Sequence, residues 1–292
     1  MKIKIKKTKE EILAARINKI FDAGKIKIEK GSKIILNPFI RNSVDNAIVS
    51  RSDAIISKEN IEIDSPKHVI AVNIISSTMG KVSRALGRMD SAENQTIVLP
   101  IVNKKKSISC FNMLNDTIIG SLLRTSTLKP IYKKLKSEWE ELNKDDKSDF
   151  VNVLYIPNIL VFLDENTGKP LRQPYQINLL LISLPSTKYM LNANGNGNIT
   201  DKNEIMTKII YNIIDTIIIC GIKHVITSPY NCELFADLPY DSGNLWQVAC
   251  STERVNDNIK SIYFTINNDD LYIIFSGIMS NPDSNVNTRL LF

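Results

Sequence analysis

Residues 69–75, Val-Ile-Ala-Val-Asn-Ile-Ile, are the stretch of the chain that decides the fold. A short run that is apolar at all but one position is typical of a strand buried on both faces of a parallel sheet. The exception is Asn73, and burying its amide costs free energy unless the amide is hydrogen-bonded. Its partner is either a bound ligand or the backbone of a neighbouring loop, and the sequence leaves both open.

Strands and helices alternate on both sides of this stretch. Thr8 and Glu11 form a capping box ahead of apolar residues at helical spacing, and Gly24 supplies a stop, so we predict a helix over residues 9–23. A second capped helix is predicted from Asp201 to Gly221. Strands are predicted at 151–156, 159–163, 177–184, 224–227, 261–266 and 271–275. This alternation predicts an α/β sheet with helices on both faces.

Several shorter segments have weaker patterns. Residues 26–28, 33–36 and 54–56 are predicted as edge strands. Asn103-Lys-Lys-Lys-Ser107 is interpreted as an exposed basic turn, and a helix over 122–135 is expected to be interrupted at Pro130. No long linker and no internal repeat divide the 292 residues. We therefore predict a single domain over 1–292, with an N-terminal extension over 1–65 and a core over 66–292.

The composition favours a globular protein of mild positive charge. The chain is 43% hydrophobic and 23% charged, with a net charge of +6, which favours anionic ligands without requiring nucleic acid. A nucleic-acid partner is therefore not expected. No apolar run is long enough to span a membrane, and the basic start lacks the apolar segment of a signal peptide. The abundance of Ile, Asn and Lys suggests an AT-rich genome, such as that of a virus, a phage or a parasite.

The cysteines and histidines give no sign of a metal or disulfide site. Four cysteines are widely spaced with no CxxC, which indicates reduced thiols and a cytoplasmic protein. His68 and His224 are isolated, each ahead of an apolar strand, and we expect structural roles for both. Neither a metal nor a cofactor is expected. The sequence also lacks the GxxxxGK[ST], GxGxxG, HExxH and GxSxG motifs of common enzyme classes.

Ligands of open α/β sheets bind outside the carboxyl ends of the strands, which directs attention to the loops there. At these loops the sequence resembles the microbial-type poly(ADP-ribose) glycohydrolases, which have a macrodomain fold. Residues 70–76 resemble the family's buried strand with its ADP-ribose-contacting Asn, here Asn73. The other similar segments keep the family's order: 122–128 resembles its "LCRRSSL" helix, 153–157 with 161–164 its "YSP…VFRD" hairpin, 182–186 its "ISAPAPN" strand end, and 224–235 its "LGAWGCGVF" phosphate loop.

The resemblance implies a macrodomain-like three-layer α/β/α fold with a mixed central sheet and an N-terminal helical extension. It also implies the residues that would bind ADP-ribose or a related nucleotide, which are Asn73, Gly80, Asn231, Cys232 and Phe235. Phe235 has an alternative interpretation as a core aromatic. The family's glycine run after the strand is reduced here to Gly80, and its Gly-Cys-Gly phosphate turn is replaced by Asn-Cys-Glu.

The largest departure concerns catalysis. The family's Gln-Glu-Glu, counted back from Arg124, falls on Ile118-Ile-Gly120. Cleaving a glycosidic bond needs a carboxyl group to protonate or steer the leaving oxygen, and neither Ile nor Gly can do this. We therefore expect no catalytic residue at these positions. Asp116 is a candidate acid if its loop is shifted, and Glu93 is another in the unmatched segment 81–110.

The leading hypothesis is thus a catalytically degenerate macrodomain-like protein. It would bind ADP-ribose or a related nucleotide, or act as a protein-interaction module. One alternative is an active ADP-ribosyl glycohydrolase that uses Asp116. Another is a viral structural or host-interaction protein, for which the basic stretches 103–107 and 129–136 would supply a contact surface.

Overall fold

Eleven strands and eleven helices lie within the residues that the computed structural model describes, which are 8–28, 32–56, 69–89, 96–144, 151–184, 199–229, 238–281 and 286–291. The strands are β1 (Lys25–Lys27), β2 (Lys33–Ile35), β3 (Ile48–Arg51), β4 (Ala71–Ile75), β5 (Thr96–Leu99), β6 (Ile101–Asn103), β7 (Asn152–Leu163), β8 (Pro170–Leu184), β9 (His224–Thr227), β10 (Ser261–Thr265) and β11 (Asn287–Leu291). The helices are α1 (Lys9–Ala23), α2 (Asn37–Asp45), α3 (Ser52–Ile56), α4 (Met79–Met89), α5 (Lys104–Ser109), α6 (Ile118–Thr125), α7 (Leu128–Leu142), α8 (Ile199–Ile219), α9 (Pro239–Cys250), α10 (Glu253–Asn258) and α11 (Asp269–Met279).

Nine of these strands form one mixed sheet in the order β11-β4-β10-β9-β5-β8-β7-β3, with β6 paired to β8 beyond the end of β5. β4 is parallel to both neighbours, and Asn73 lies opposite Tyr263 of β10 and Arg289 of β11. β9 is parallel to β10 and β5. At the far edge of the sheet, β7 is antiparallel to both of its neighbours, β8 and β3. The carboxyl ends of β4, β10, β9 and β5 therefore meet on one side of the sheet.

Helices cover both faces of the sheet, and each face has its own apolar core. Val72 and Ile74 of β4 point into a core formed with α8, α9 and α11, which includes Trp246 and Phe275. The opposite core contains buried residues of α1, α2, α6 and α7, with Trp139 fully buried. Side chains alternate between the faces of a strand, so Asn73 belongs to the second face. The predicted three-layer α/β/α class is confirmed.

The N-terminal helix has the predicted bounds. The Thr8 hydroxyl accepts from the Glu11 backbone N–H at 3.2 Å, and the Glu11 carboxylate accepts from the Thr8 N–H at 2.9 Å. Gly24 ends the helix with a φ of 64°, in the left-handed region that glycine tolerates best. Because α1 contacts α6, the helix packs beside the element that begins with Ile118-Ile-Gly120.

The predicted strand at 271–275 is wrong, since these residues lie within α11. The Asn268 side chain accepts from the Leu271 N–H at 2.9 Å, and this cap starts a helix that local strand preference would not predict. Tyr272, Phe275 and Met279 recur at helical spacing and are buried, so their packing against the core stabilises a helix here rather than a strand.

Three further expectations from the sequence are also wrong. The strand expected at 54–56 is the helix α3, and the edge strand lies earlier, at β3. The basic segment 103–107 is not a turn, because the Asn103 side chain accepts from the Lys106 N–H at 3.1 Å and starts α5. The helix over 122–135 breaks between α6 and α7, and Pro130 lies in the first turn of α7, where its missing N–H is tolerated.

The predicted domain organisation stays a prediction. Its boundary at residues 65 and 66 falls outside the described residues. β3, from the predicted N-terminal extension, pairs with β7 at the edge of the main sheet. Among the helices that the structure describes, none is long and apolar enough to cross a membrane.

Candidate ligand-binding cleft

A cleft of about 660 Å³ opens at the carboxyl ends of the parallel strands. This volume falls within the roughly 300–1,000 Å³ typical of small-molecule sites. Three groups of residues line it. The strand ends, the residues that follow them and the start of α4 contribute Ser77, Thr78, Met79, Gly80, Pro100, Ile101, Val102, Ser228, Thr265 and Asn267. The elements α5 and α6, with the loop between them, contribute Lys106, Ser109, Cys110, Asn115, Asp116, Thr117, Ile118, Ile119 and Ser121, and the β7–β8 turn contributes Glu165.

One wall of the cleft is the start of α4, which follows β4 directly. Lys81 N–H is bonded to the Thr78 carbonyl at 3.1 Å, whereas the N–H groups of Met79 and Gly80 have no partner among the described residues. Unpaired N–H groups at the start of a helix attract anions. Across the cleft, a methyl group added to Gly80 would lie 3.6 Å from Ile118 Cδ1, so glycine keeps this part of the cleft wide.

Asn73 is buried, with 6% of its surface exposed, and its amide has no hydrogen-bond partner among the described residues. A bond to a neighbouring loop, one of the two alternatives from the sequence, is therefore not present in that part of the chain. Asn73 is not among the residues that line the cleft. It lies two residues before the end of β4, on the face of the sheet where the second core is found.

Among the residues that the structure describes, Asp116 and Glu165 are the carboxylates that line the cleft. Asp116 is exposed and has no partner among the described residues. Glu165 accepts a hydrogen bond from Arg124 at 3.1 Å and forms an ion pair with Arg84 at 3.5 Å. Two guanidinium groups fix the position of this carboxylate, which suits it to orient a ligand.

The position of Glu165 depends on the tight turn between β7 and β8. Asp164 Oδ1 accepts from the backbone N–H groups of Asn166 at 3.0 Å and Thr167 at 2.8 Å, and Gly168 closes the turn with a φ of 64°. Partial burial alone would raise the pKa of Asp164, but the hydrogen bonds from Thr167 and Asn166 outweigh it, so the pKa lies below its usual value. Asp164 therefore serves the turn, and Glu165 is presented to the cleft.

The stretch Asp164-Glu-Asn-Thr-Gly168 between two predicted strands is recognisable as a turn from the sequence, but Glu165 is not predicted there as a site residue. The turn motif predicts the local backbone geometry. The distance between the turn and the cleft depends on the lengths of β7 and β8 and on the irregular pairing of these strands between Ile156 and Ile159. That irregularity coincides with Asn158, whose φ of 57° is unusual for a residue other than glycine. No local signal in the sequence gives the direction of the hairpin.

Cys110 lines the cleft but is not a nucleophile. Burial raises the pKa of its thiol to about 12, because the thiolate would lose its hydration. Its Sγ donates to the Ser107 carbonyl at 3.3 Å. No group of three or more potential metal-binding side chains occurs in the parts of the chain that the structure describes.

Comparisons with known proteins point to one family of folds. No family model matches the sequence, and no curated protein matches it. Among solved structures, a poly(ADP-ribose) glycohydrolase from Thermomonospora curvata superposes with a TM-score of 0.69 at 14% identity, over 92% of this chain and 98% of that chain. The chain has the fold of the bacterial poly(ADP-ribose) glycohydrolases. The resemblance predicted from the motifs is thus confirmed for the fold.

Two further glycohydrolase structures carry ligands. The Thermomonospora curvata enzyme with the inhibitor ADP-HPD has a TM-score of 0.66 at 14% identity, over 92% of this chain and 98% of that chain. The Deinococcus radiodurans enzyme with ADP-ribose has a TM-score of 0.61 at 13% identity, over 83% of this chain and 98% of that chain.

Within this glycohydrolase fold, Ile118 and Ile119 line the cleft at the start of α6, where the family motif has its first polar residues. Gly120 follows and is tightly enclosed. A Cβ atom at this position would lie 2.2 Å from the Asn115 carbonyl oxygen and 3.0 Å from that of Asn112. The backbone of the preceding loop therefore occupies the space that a glutamate side chain would need.

Arg124 holds this loop in place. Its Nη1 donates to the carbonyls of Met113 and Asn115, the latter at 2.9 Å, while Nη2 donates to Glu165. The side chain is only 2% exposed. Arg124 thus connects α6, the loop before it and the β7–β8 turn, and it fixes Asn115 above Gly120.

The remaining predicted residues fall into two groups. Asn231, Cys232, Phe235, Glu93 and His68 lie outside the described residues, so their roles stay predictions. His224 lies at the start of β9, away from the carboxyl ends of the strands, and its Nδ1 is 2.7 Å from the Ser261 hydroxyl. This contact agrees with the structural role expected for it.

Proposed function

We propose that the cleft binds ADP-ribose or a nucleotide of the same diphosphate class, without hydrolysing it through the family's acidic motif. The observation that carries the proposal is the position of the cleft. It lies at the carboxyl ends of the central parallel strands, in a fold that glycohydrolases share, one of which was solved with ADP-ribose. Similar folds host many activities, so the proposal depends on the chemistry of this cleft.

The lining of the cleft supports a ligand that combines a diphosphate with apolar and hydroxyl groups. The unpaired N–H groups of Met79 and Gly80 and the ammonium group of Lys106 offer positive charge to phosphate oxygens. Ile101, Val102 and Ile118 provide apolar surface for a base or a sugar face. The cleft therefore offers complementary chemistry to each part of a nucleotide diphosphate.

Loss of the family's catalytic step is supported by Gly120. Because the Asn115 carbonyl would lie 2.2 Å from a Cβ at this position, no larger side chain fits without movement of the loop. Ile118 and Ile119 cannot exchange protons. The degenerate motif is thus accompanied by a backbone arrangement that excludes the missing carboxylate.

Calorimetric titration with ADP-ribose tests the binding proposal. We expect saturable heat with the wild-type protein and an affinity lowered about tenfold in Lys106→Gln, because a hydrogen bond to a charged group contributes about 1.5 kcal/mol. Lys133→Gln is the matched control, since Lys133 is exposed on α7 and does not line the cleft. Absence of heat and of a thermal shift at millimolar ADP-ribose would contradict nucleotide binding and would leave the protein-interaction hypothesis.

A second candidate function, ADP-ribosyl hydrolysis, is favoured by Asp116. This carboxylate lines the cleft and has no ion-pair partner among the described residues, so it is free to approach a glycosidic oxygen. The test is release of ADP-ribose from poly- and mono-ADP-ribosylated proteins by the wild type and by Asp116→Asn. Release that disappears in Asp116→Asn would establish the enzyme, whereas no release by the wild type would exclude it.

A further inference from the structure

A second cavity of about 220 Å³ adjoins the cleft, and we call it the annex. It lies between the start of α1, the first turns of α4 and the β7–β8 turn. Its lining residues are Lys9, Glu10, Leu13, Thr78, Gly80, Lys81, Arg84, Asp116, Arg124, Glu165 and Asn166. Thr78, Gly80, Asp116 and Glu165 line both cavities, so the annex and the cleft are continuous.

Arg124 lines the annex with a guanidinium group that is almost fully buried. Its Nη atoms donate to two carbonyls and to Glu165, but its Nε has no hydrogen-bond partner among the described residues. The side chain is only 2% exposed, so bulk water does not satisfy this N–H. A buried guanidinium donor without an acceptor is costly, but this Nε is as inaccessible from the annex as it is from bulk water. Arg124 therefore offers an anion in the annex its positive charge and no free hydrogen bond.

Arg84 and Lys81 contribute two donors that are loosely engaged. Arg84 lies 3.5 Å from Glu165 and 3.9 Å from Asp164, whereas strong guanidinium–carboxylate hydrogen bonds are about 2.7–2.9 Å long. Lys81 is exposed and has no partner among the residues that the structure describes. Both side chains can therefore turn toward an anion in the annex at little cost in existing contacts.

The acidic residues of the annex do not cancel this positive charge. Glu165 is paired with Arg124 at 3.1 Å. Glu10 lies in the first turn of α1, and its carboxyl has a lowered pKa because of a hydrogen bond from its own backbone N–H, so it carries a negative charge. Asp116 lies at the junction with the cleft. Among the described residues the annex has four cationic side chains, Lys9, Lys81, Arg84 and Arg124, against the three carboxylates Glu10, Asp116 and Glu165, so a small positive excess remains.

We propose that the annex is a subsite for a phosphate-sized anion carried by the nucleotide that occupies the cleft. The proposal rests on the proposed function, and it adds that the preferred ligand bears a further phosphate beyond its diphosphate. Gly80, whose N–H has no partner among the described residues, lines both cavities, so both phosphate positions receive positive charge from the same helix terminus.

The test compares ADP-ribose with two derivatives, one phosphorylated on the adenosine ribose and one on the terminal ribose. We expect one of the two to bind at least tenfold more tightly than ADP-ribose, and the tighter derivative identifies the end of the ligand that faces the annex. Lys81→Gln should remove this gain and leave the affinity for ADP-ribose unchanged, because Lys81 does not line the cleft and has no partner among the described residues. Arg84→Gln should remove the gain as well, and its affinity for ADP-ribose is measured alongside because Arg84 also pairs with Glu165. Lys106→Gln should weaken all three ligands.

Two controls separate a binding role of Arg84 from a structural one. Arg84→Lys retains the charge and should recover part of the gain, and melting temperatures of all variants report on folding. Equal affinities of the wild type for all three ligands would overturn the annex proposal while leaving the proposed function intact.

The opposite failure is also distinguishable. If ADP-ribose does not bind, inorganic phosphate should still raise the melting temperature of the wild type but not of Arg84→Gln. That result would support an anion site in the annex and contradict the proposed function. No effect of inorganic phosphate in that case would overturn both.

Discussion

At the scale of single residues, the space available in the cleft depends more on its glycines than on its polar side chains. Gly80 faces Ile118 across open space, whereas Gly120 is enclosed by backbone. Away from the cleft, a methyl group added to Gly277 on α11 would have no neighbour within 4 Å. These three positions give matched substitutions whose effects on folding and on binding should differ.

Gly80→Ala should leave folding intact and weaken binding. The new methyl group meets Ile118 Cδ1 at an ordinary distance of 3.6 Å, and Ala in a helix is favoured over Gly by roughly 0.5–1 kcal/mol. The same methyl group narrows the cleft, and we expect affinity for ADP-ribose to fall about tenfold, the equivalent of about 1.4 kcal/mol. Gly277→Ala is the control: calorimetry should show wild-type affinity. An unchanged affinity in Gly80→Ala would contradict close approach of the ligand to this backbone.

Gly120→Ala should destabilise the protein. Its Cβ would lie 2.2 Å from a backbone carbonyl that Arg124 holds in place, so the loop must move, and overpacking of this kind costs about 1–3 kcal/mol. Urea denaturation should show a lower midpoint than the wild type, whereas Gly277→Ala should raise it. A midpoint equal to that of the wild type would mean that the loop yields easily and that Gly120 does not exclude a side chain.

Asp215 on α8 supplies a pH-dependent prediction. Burial raises the pKa of its carboxyl, and the ion pair with Arg254 at 2.9 Å offsets only part of this shift. Since the folded pKa lies above the unfolded value of about 3.9, the stability that Asp215 contributes is fully present below that value and is lost as pH rises through the folded pKa.

The free energy of unfolding of the wild type, relative to Asp215→Asn, should therefore decrease as pH rises from about 3.9. Urea denaturation of both proteins across the acidic range measures this difference. A difference that grows with pH would show that the ion pair dominates over burial.

At the scale of elements, capping decides between helix and strand where apolar pattern alone is ambiguous. Asn268 starts α11, and without knowledge of that cap the apolar run 271–275 reads as a strand. The capping box of α1 is recognisable from sequence, and the predicted bounds of that helix are correct. The difference lies in spacing: a capping box places two residues at a defined separation, whereas a single Asn is common in turns.

Asn268→Ala tests the importance of this cap. Removing the hydrogen bond to the Leu271 N–H should lower the free energy of unfolding by about 1 kcal/mol, measured by urea denaturation. Asn268→Asp should retain most of the stability, because a carboxylate also accepts from that N–H and favours a helix N-terminus. Equal stabilities of the wild type and Asn268→Ala would show that packing of Phe275 alone fixes α11.

At the scale of the whole molecule, the fold is predictable because its signals are distributed along the chain. The buried strand β4, the alternation of strands and helices and the order of the similar segments all indicate the three-layer class, which is confirmed. The site is only partly predictable. Gly80 and Asp116 are identifiable from sequence and line the cleft, whereas Glu165 and the annex depend on how the hairpin and α1 pack, which no short segment encodes.

The pairing of β4 has a consequence for folding during synthesis on the ribosome. Ala71 of β4 lies opposite Ser261 on one side and Asn287 on the other, so both neighbours of this apolar strand are translated long after it. Contacts between such distant segments form slowly. The nascent chain therefore carries an unpaired, aggregation-prone strand through most of its synthesis, and its yield in cells should depend on chaperones that shield that strand until translation passes its partners.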